Sequence, residues 1–153
     1  MQSVISMLWE KELITITDAI FFADGKATSC KITSFPTPKI EVGADFNFID
    51  FYRHNNEEVT SIDIIKEAKL LNECYCCVGE GSYGSEGFIA YLDKDKNPIW
   101  ILCSENSNPF VSVFEHEENT ILVESTAGLQ IQIDLHNPVN LGNCSIRCAC
   151  LLN

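Results

Sequence analysis

Basic residues are scarce in this sequence. Ten Lys and Arg stand against 22 Asp and Glu among 153 residues, a formal net charge of −12. Binding to nucleic-acid phosphates or to an anionic lipid surface needs clustered Lys and Arg, so neither nucleic acid nor membrane is an expected partner. Long apolar runs are also lacking. No stretch of eighteen apolar residues occurs, which argues against a transmembrane helix. The opening residues, MQSVISMLWEKELITITD, do not have the basic segment, apolar run and small-residue cleavage site of a secretion signal. A soluble, cytoplasmic protein is the expectation.

Signatures of catalysis are missing as well. There is no G-x-S-x-G, no H-E-x-x-H and no P-loop. His54, His116 and His136 each sit in polar, loop-like text, and no spacing joins one of them to a nucleophile. The adjacent acids Glu57-Glu58 and Glu117-Glu118 would fall on opposite faces of a strand, so no glycosidase-type pair is singled out. No catalytic residue, metal ligand or cofactor is assigned, and the chain is read as a non-enzyme.

What is present suits a packed protein. Hydrophobic residues make up 46% and charged residues 21%, close to the globular average, and the length is that of one ordinary domain, taken as 1–153. The stretch 3–34 reads as strands, with Asp24-Gly25 between IFFA and KATSCKIT as a strong hairpin signal. Phe35-Pro36-Thr37-Pro38 breaks the pattern as a loop, and KIEVG follows as a short strand. DFNFIDFYR, residues 45–53, mixes alternation with helical spacing and is read as strand. One main helix is expected at about 61–72: Thr60 or Ser61 would cap it, and Ile62, Ile65, Ala68, Lys69 and Leu71 keep helical spacing.

From Glu73 onward six runs alternate with turn compositions: CYCCV, GFIAYLD, PIWILCS, PFVSVFE, TILVES and LQIQIDL. CSIRCACLL could add another strand. In the last of the six, Leu129, Ile131, Ile133 and Leu135 face one way and Gln130, Gln132 and Asp134 the other, the pattern of an antiparallel sheet with one wet face. The expected fold class is therefore α+β, predominantly β: an antiparallel meander of about six strands with an N-terminal hairpin and one main helix.

Two local patterns carry possible chemistry. Gly79-Glu80-Gly81-Ser82-Tyr83-Gly84 is a literal G-x-G-x-x-G. A dinucleotide fingerprint needs a helix after it, yet SEGFIAYLD reads as strand. A kinase-type nucleotide loop needs a lysine on the next strand, and PIWILCS has none. Glu80 and Glu86 would also repel phosphate. The string is read as a surface loop in which Tyr83 is a protein contact. The eight cysteines include C-x-C-C at 74–77 and C-x-x-x-C-x-C at 144–150. Were those two strands neighbours, four thiolates could converge on Zn²⁺. Buried, reduced cysteines filling the core are the simpler reading, and spacing alone leaves open whether the two groups meet.

Acidity concentrates between Glu41 and Glu86, with ten acids and three bases in 46 residues. Phe46, Phe48, Phe51, Tyr52 and Tyr83 stand among them. A second knot, Glu115, Glu117 and Glu118, surrounds His116 in a predicted hairpin turn. Acids rimming exposed aromatics would suit a basic protein, the rings acting as anchors and the charges speeding encounter.

In its size, its acidity and its motif-free β text, the chain resembles the immunity proteins that bacteria encode beside polymorphic or contact-dependent toxins. That resemblance implies an inhibitor that binds one cognate toxin, often a basic nuclease, and covers its active site. The residues expected to meet such a partner are Asp45, Asp50, Glu57, Glu58, Glu80, Tyr83, Glu86, Glu115, Glu117 and Glu118. A small ligand-binding β domain or enzyme, with its pocket between sheet and helix, and an adaptor subunit of a larger assembly are the alternatives.

Overall fold

The computed structural model describes residues 3–33, 36–143 and 146–148, with 141–143 and 146–148 described for the backbone only. The chain opens with a helix, α1 (Val4–Glu10), where strand was expected. Ser3 caps it by accepting the Ser6 amide at 3.2 Å, and Ile5 and Leu8 share its buried face. A cap plus apolar residues three apart outweighs the β preference of Val and Ile in so short a stretch.

Eight strands build the larger sheet: β1 (Leu13–Thr15), β2 (Ala19–Phe22), β3 (Lys26–Thr33), β4 (Lys39–Asn47), β5 (Val59–Lys69), β6 (Tyr75–Gly81), β7 (Gly87–Leu92) and β8 (Pro98–Ser104). Their order is β1-β5-β6-β7-β8-β2-β3-β4, every pair antiparallel. The expected β2–β3 hairpin is there, turning at Gly25 with φ +94°. Four more strands, β9 (Phe110–Glu117), β10 (Thr120–Ser125), β11 (Leu129–Asp134) and β12 (Ile146–Cys148), form the smaller sheet in the order β12-β11-β10-β9. All six runs of the expected meander are strands, but they divide three and three. The chain leaves the larger sheet after β8 and enters the smaller one at β9.

Residues 61–72 are not a helix. They belong to β5 and to the turn that follows it. Val59, Thr60, Ile62, Ile64 and Ile65 are β-branched, which favours strand. A β-bulge between Ile64 and Lys66 inserts a residue into the pairing with β6, and one inserted residue changes an alternating pattern into the three-residue spacing that imitates a helix. Gly79 faces this bulge across the ladder: a Cβ there would run into the backbone oxygen of Asp63 and lie 2.8 Å from Phe88 Cε1.

The helix that does follow β4 is α2 (Phe48–His54), in text read as strand. Asn47 ends β4 and caps α2, its side chain accepting the Asp50 amide at 3.0 Å. Phe48, Phe51 and Tyr52 then fall on one face, as i, i+3 and i+4 must.

Two cores lie on the two faces of the larger sheet. On one face Ile20, Val78, Ile89, Trp100 and Leu102 pack against Val113, Ile121, Val123, Ile131 and Ile133 of the smaller sheet. On the other, Phe21, Phe88, Ala90 and Ile101 are covered by Ile5 and Leu8 of α1 and Phe48 of α2. The order of layers is helices, larger sheet, smaller sheet. β7, covered on both faces, is buried at every position, while β10 and β11 alternate because one of their faces is wet. Trp100 Nε1 donates to the Leu135 carbonyl at 2.9 Å, joining the sheets across the core.

Candidate protein-binding surface

At one end of the larger sheet four segments meet: 16–18, 55–61, 80–87 and 103–108. They hold the acids Asp18, Glu57, Glu58, Glu80, Glu86 and Glu105 and no Lys, Arg or His. The topology brings them together. β5 begins here, β6 ends here, β7 begins here, β8 ends here, and β2 begins beside the end of β8 through the Ala19–Cys103 pairing.

The segments are tied to one another by hydrogen bonds. The Ile16 amide donates to the Glu58 carbonyl at 2.9 Å, and the Asn108 amide to the Ser85 carbonyl at 2.9 Å. The Glu105 amide donates to Asp18 Oδ1 at 2.8 Å. Thr60 Oγ1 accepts the Ser82 amide at 2.9 Å and lies 2.7 Å from Ser82 Oγ. Within the 82–86 loop, Glu86 Oε1 accepts the Tyr83 amide at 2.8 Å.

The glycines of the G-x-G-x-x-G string have structural reasons. Gly79 admits the β5 bulge. At Gly81 a Cβ would stand 2.7 Å from Glu86 Oε1, so the missing side chain makes room for that carboxylate. Gly84 turns the loop with φ +93°. Strand, tight loop and strand form a hairpin, and a carboxylate occupies the space beside Gly81.

A cavity of about 280 Å³ opens among these segments, lined by Ile16, Tyr83, Ser85, Glu86, Glu105 and Asn106. Tyr83 is 71% exposed, whereas Glu86 is only 5% exposed and its Oε2 has no hydrogen-bond partner. The Glu105 carboxyl is raised above its ordinary value, chiefly by burial, then by the charge of Asp18 and a hydrogen bond to it, with Glu58 and Glu86 adding repulsion.

A second, wider hollow of about 590 Å³ borders the 16–18 bend at Thr17. Thr17, Ser29, Phe46, Asn47, Asp50, Phe51, His54 and Asn55 line it. His54 closes α2, its Nδ1 lying 2.8 Å from the Asp50 carbonyl. A carbonyl can only accept, so Nδ1 carries the proton.

The ten expected contact residues are thus distributed over three places. Glu57, Glu58, Glu80, Tyr83 and Glu86 come together at the end of the sheet. Glu86, 5% exposed, lines the cavity there and holds the loop through the Tyr83 amide. Asp50 lines the wider hollow, and exposed Asp45 on β4 accepts Thr28 Oγ1 at 2.7 Å. Glu115, Glu117 and Glu118 lie elsewhere. Glu115 Oε1 accepts the Leu71 amide at 2.9 Å, beside the β5–β6 turn. That turn is the length of β6 away, roughly 20 Å at the usual strand rise. Sequence reasoning missed Asp18 and Glu105. Both sit in polar turn text 87 positions apart, and only the β2–β8 pairing places them together.

The thiols offer no comparable site. Burial pushes Cys30 and Cys77 up to about 12 and raises Cys76 and Cys103 as well. β6 lies in the larger sheet and β12, with Cys148, pairs with β11 in the smaller, so the two cysteine-bearing strands are not sheet neighbours. Cys144 and Cys150 lie outside the described residues. Among the described residues no three His, Cys, Asp or Glu are placed to hold a metal ion, and no helix is long and apolar enough to cross a membrane.

The fold and site together define a predominantly antiparallel β protein, with a minor helical layer, that presents a cross-tied acidic loop cluster. No family model, curated protein or solved structure matches the chain.

Proposed function

We propose that the chain is a protein-binding inhibitor of the immunity-protein kind, whose acidic loop cluster meets a basic surface on a cognate toxin, such as a nuclease. One observation carries this reading: six carboxylates gathered at one end of the sheet, without a cation in their segments, where the exposed ring of Tyr83 also stands. An exposed aromatic within complementary charge is the usual composition of an interface anchor. Substrate-groove blocking by carboxylates would mimic the phosphates that a nuclease is built to bind.

Affinity capture from the cells that encode the chain tests it, with three baits side by side: the wild type, Glu57→Gln/Glu58→Gln/Tyr83→Ala, and Glu117→Gln/Glu118→Gln. The expected result is one basic protein held stoichiometrically by the first and third baits and released from the second. Retention by all three, or an acidic partner, would overturn the reading.

A second reading rests on the wider hollow beside α2, which combines Phe46 and Phe51 with Asp50 and His54 and would suit a small polar ligand. A small molecule that co-purifies with the wild type and is lost from His54→Ala would favour it.

A further inference from the structure

Resting on the protein-binding reading, we infer that the 280 Å³ cavity beside Tyr83 is a socket for one arginine side chain supplied by the partner.

The cavity, about 280 Å³, lies at the low end of small-molecule pockets, which run from about 300 to 1,000 Å³, and has room for a single long side chain. Its wall includes Glu86, one of whose carboxylate oxygens is buried without a donor. Glu86 is 5% exposed, Oε1 is engaged by the Tyr83 amide, and Oε2 has no partner. A buried acceptor left unpaired is costly, more so when charged, and the chain's own residues around it supply no cation. Glu105 forms part of the same wall, and its amide donates to Asp18 Oδ1. The Glu105 carboxyl is raised by its burial first and then by the neighbouring carboxylates of Asp18, Glu58 and Glu86. A metal ion is not the fitting occupant, because among the described residues no three of these groups are placed as ligands.

Arginine fits better than lysine for two reasons. Its planar fork of five donors can serve Glu86 and Glu105 together, where an ammonium is a point charge. Its flat face also stacks on aromatic rings, and Tyr83 is the exposed ring at the cavity mouth.

The test uses amide chemical shifts of the full-length chain titrated with the peptide N-acetyl-Gly-Arg-Gly-amide. Peptides with lysine or uncharged citrulline in place of arginine are run beside it. Glu86→Gln keeps the acceptor for the Tyr83 amide, so the loop is retained while the charge is removed. The expected result is saturable, millimolar binding with shifts centred on Tyr83, Ser85, Glu86 and Asn106. It should weaken at least about tenfold in Glu86→Gln and in Glu105→Gln, weaken with lysine and vanish with citrulline. Shifts spread over Glu57, Glu58 and Glu117 that both variants leave unchanged would overturn the socket while sparing the protein-binding reading. Equal binding of arginine and lysine would overturn the choice of arginine. No shift at any acidic residue, or the same response to citrulline, would overturn both.

Discussion

Glu105 shows what gathering acids costs a single residue. Its carboxyl is raised by burial first and by Asp18 second, so the fold favours its protonated form. The sign follows from linkage. The stability associated with that form is fully present below the ordinary glutamate value, near 4.5, and is lost as pH rises through the higher folded value. Glu105→Gln should therefore raise the melting temperature at pH 7 relative to the wild type, with little difference at pH 4. Thermal unfolding at the two pH values reads this directly. Trp100 illustrates the opposite economy, a polar atom satisfied in the core. Its indole N–H reaches the carbonyl of Leu135, itself 1% exposed. Trp100→Phe strands that acceptor and should cost about 1–3 kcal/mol, measured by urea denaturation. The sequence makes both residues visible as types, a turn acid and an apolar ring. It conceals their partners, which stand 87 and 35 positions away.

At the level of elements, legibility followed regularity. The runs from β6 to β11 alternate or are uniformly apolar, and every one is a strand. β5 was misread because its bulge between Ile64 and Lys66 shifts the apolar period halfway along. α2 was misread because Phe46 and Phe48 alternate across the very point where Asn47 ends the strand and caps the helix. Both errors lie at irregularities, where one residue changes the rule that its neighbours obey. The bulge is also open to test. Gly79→Ala would press a methyl against Asp63 and Phe88 and should destabilise by about 1–3 kcal/mol, seen as a lower urea midpoint with an unchanged slope.

For the molecule as a whole, charge is distributed unevenly along the larger sheet. Away from the acidic end, Lys66 and Lys69 on β5 and Lys94 and Lys96 at the β7–β8 turn share their neighbourhood with Glu67, Glu73, Asp93 and Asp95. Lys96 pairs with Glu67 at 3.2 Å and lies over the Tyr75 ring at 4.7 Å. The net charge of −12 is plain from composition, but the gathering of six of the acids at one end depends on which strand ends meet. Such a field orients an approaching basic protein. Association with a cationic partner should accelerate by about 10- to 1,000-fold in low salt, with dissociation much less affected. Stopped-flow measurements from 20 to 500 mM salt, on the order of a Debye length of 20 to 4 Å, would separate the two rates.

The hydrogen bonds that lace segments 16–18, 55–61, 80–87 and 103–108 together bear on how such a partner would be met. Because Thr60, Ser82, Asp18 and Glu86 already fix the loops in the isolated chain, little conformational freedom is left to surrender on contact. On the protein-binding reading the acidic face would act as a mould set before casting: a mismatched surface would find no pliable backbone to accommodate it, and discrimination between related partners would fall to their own shape.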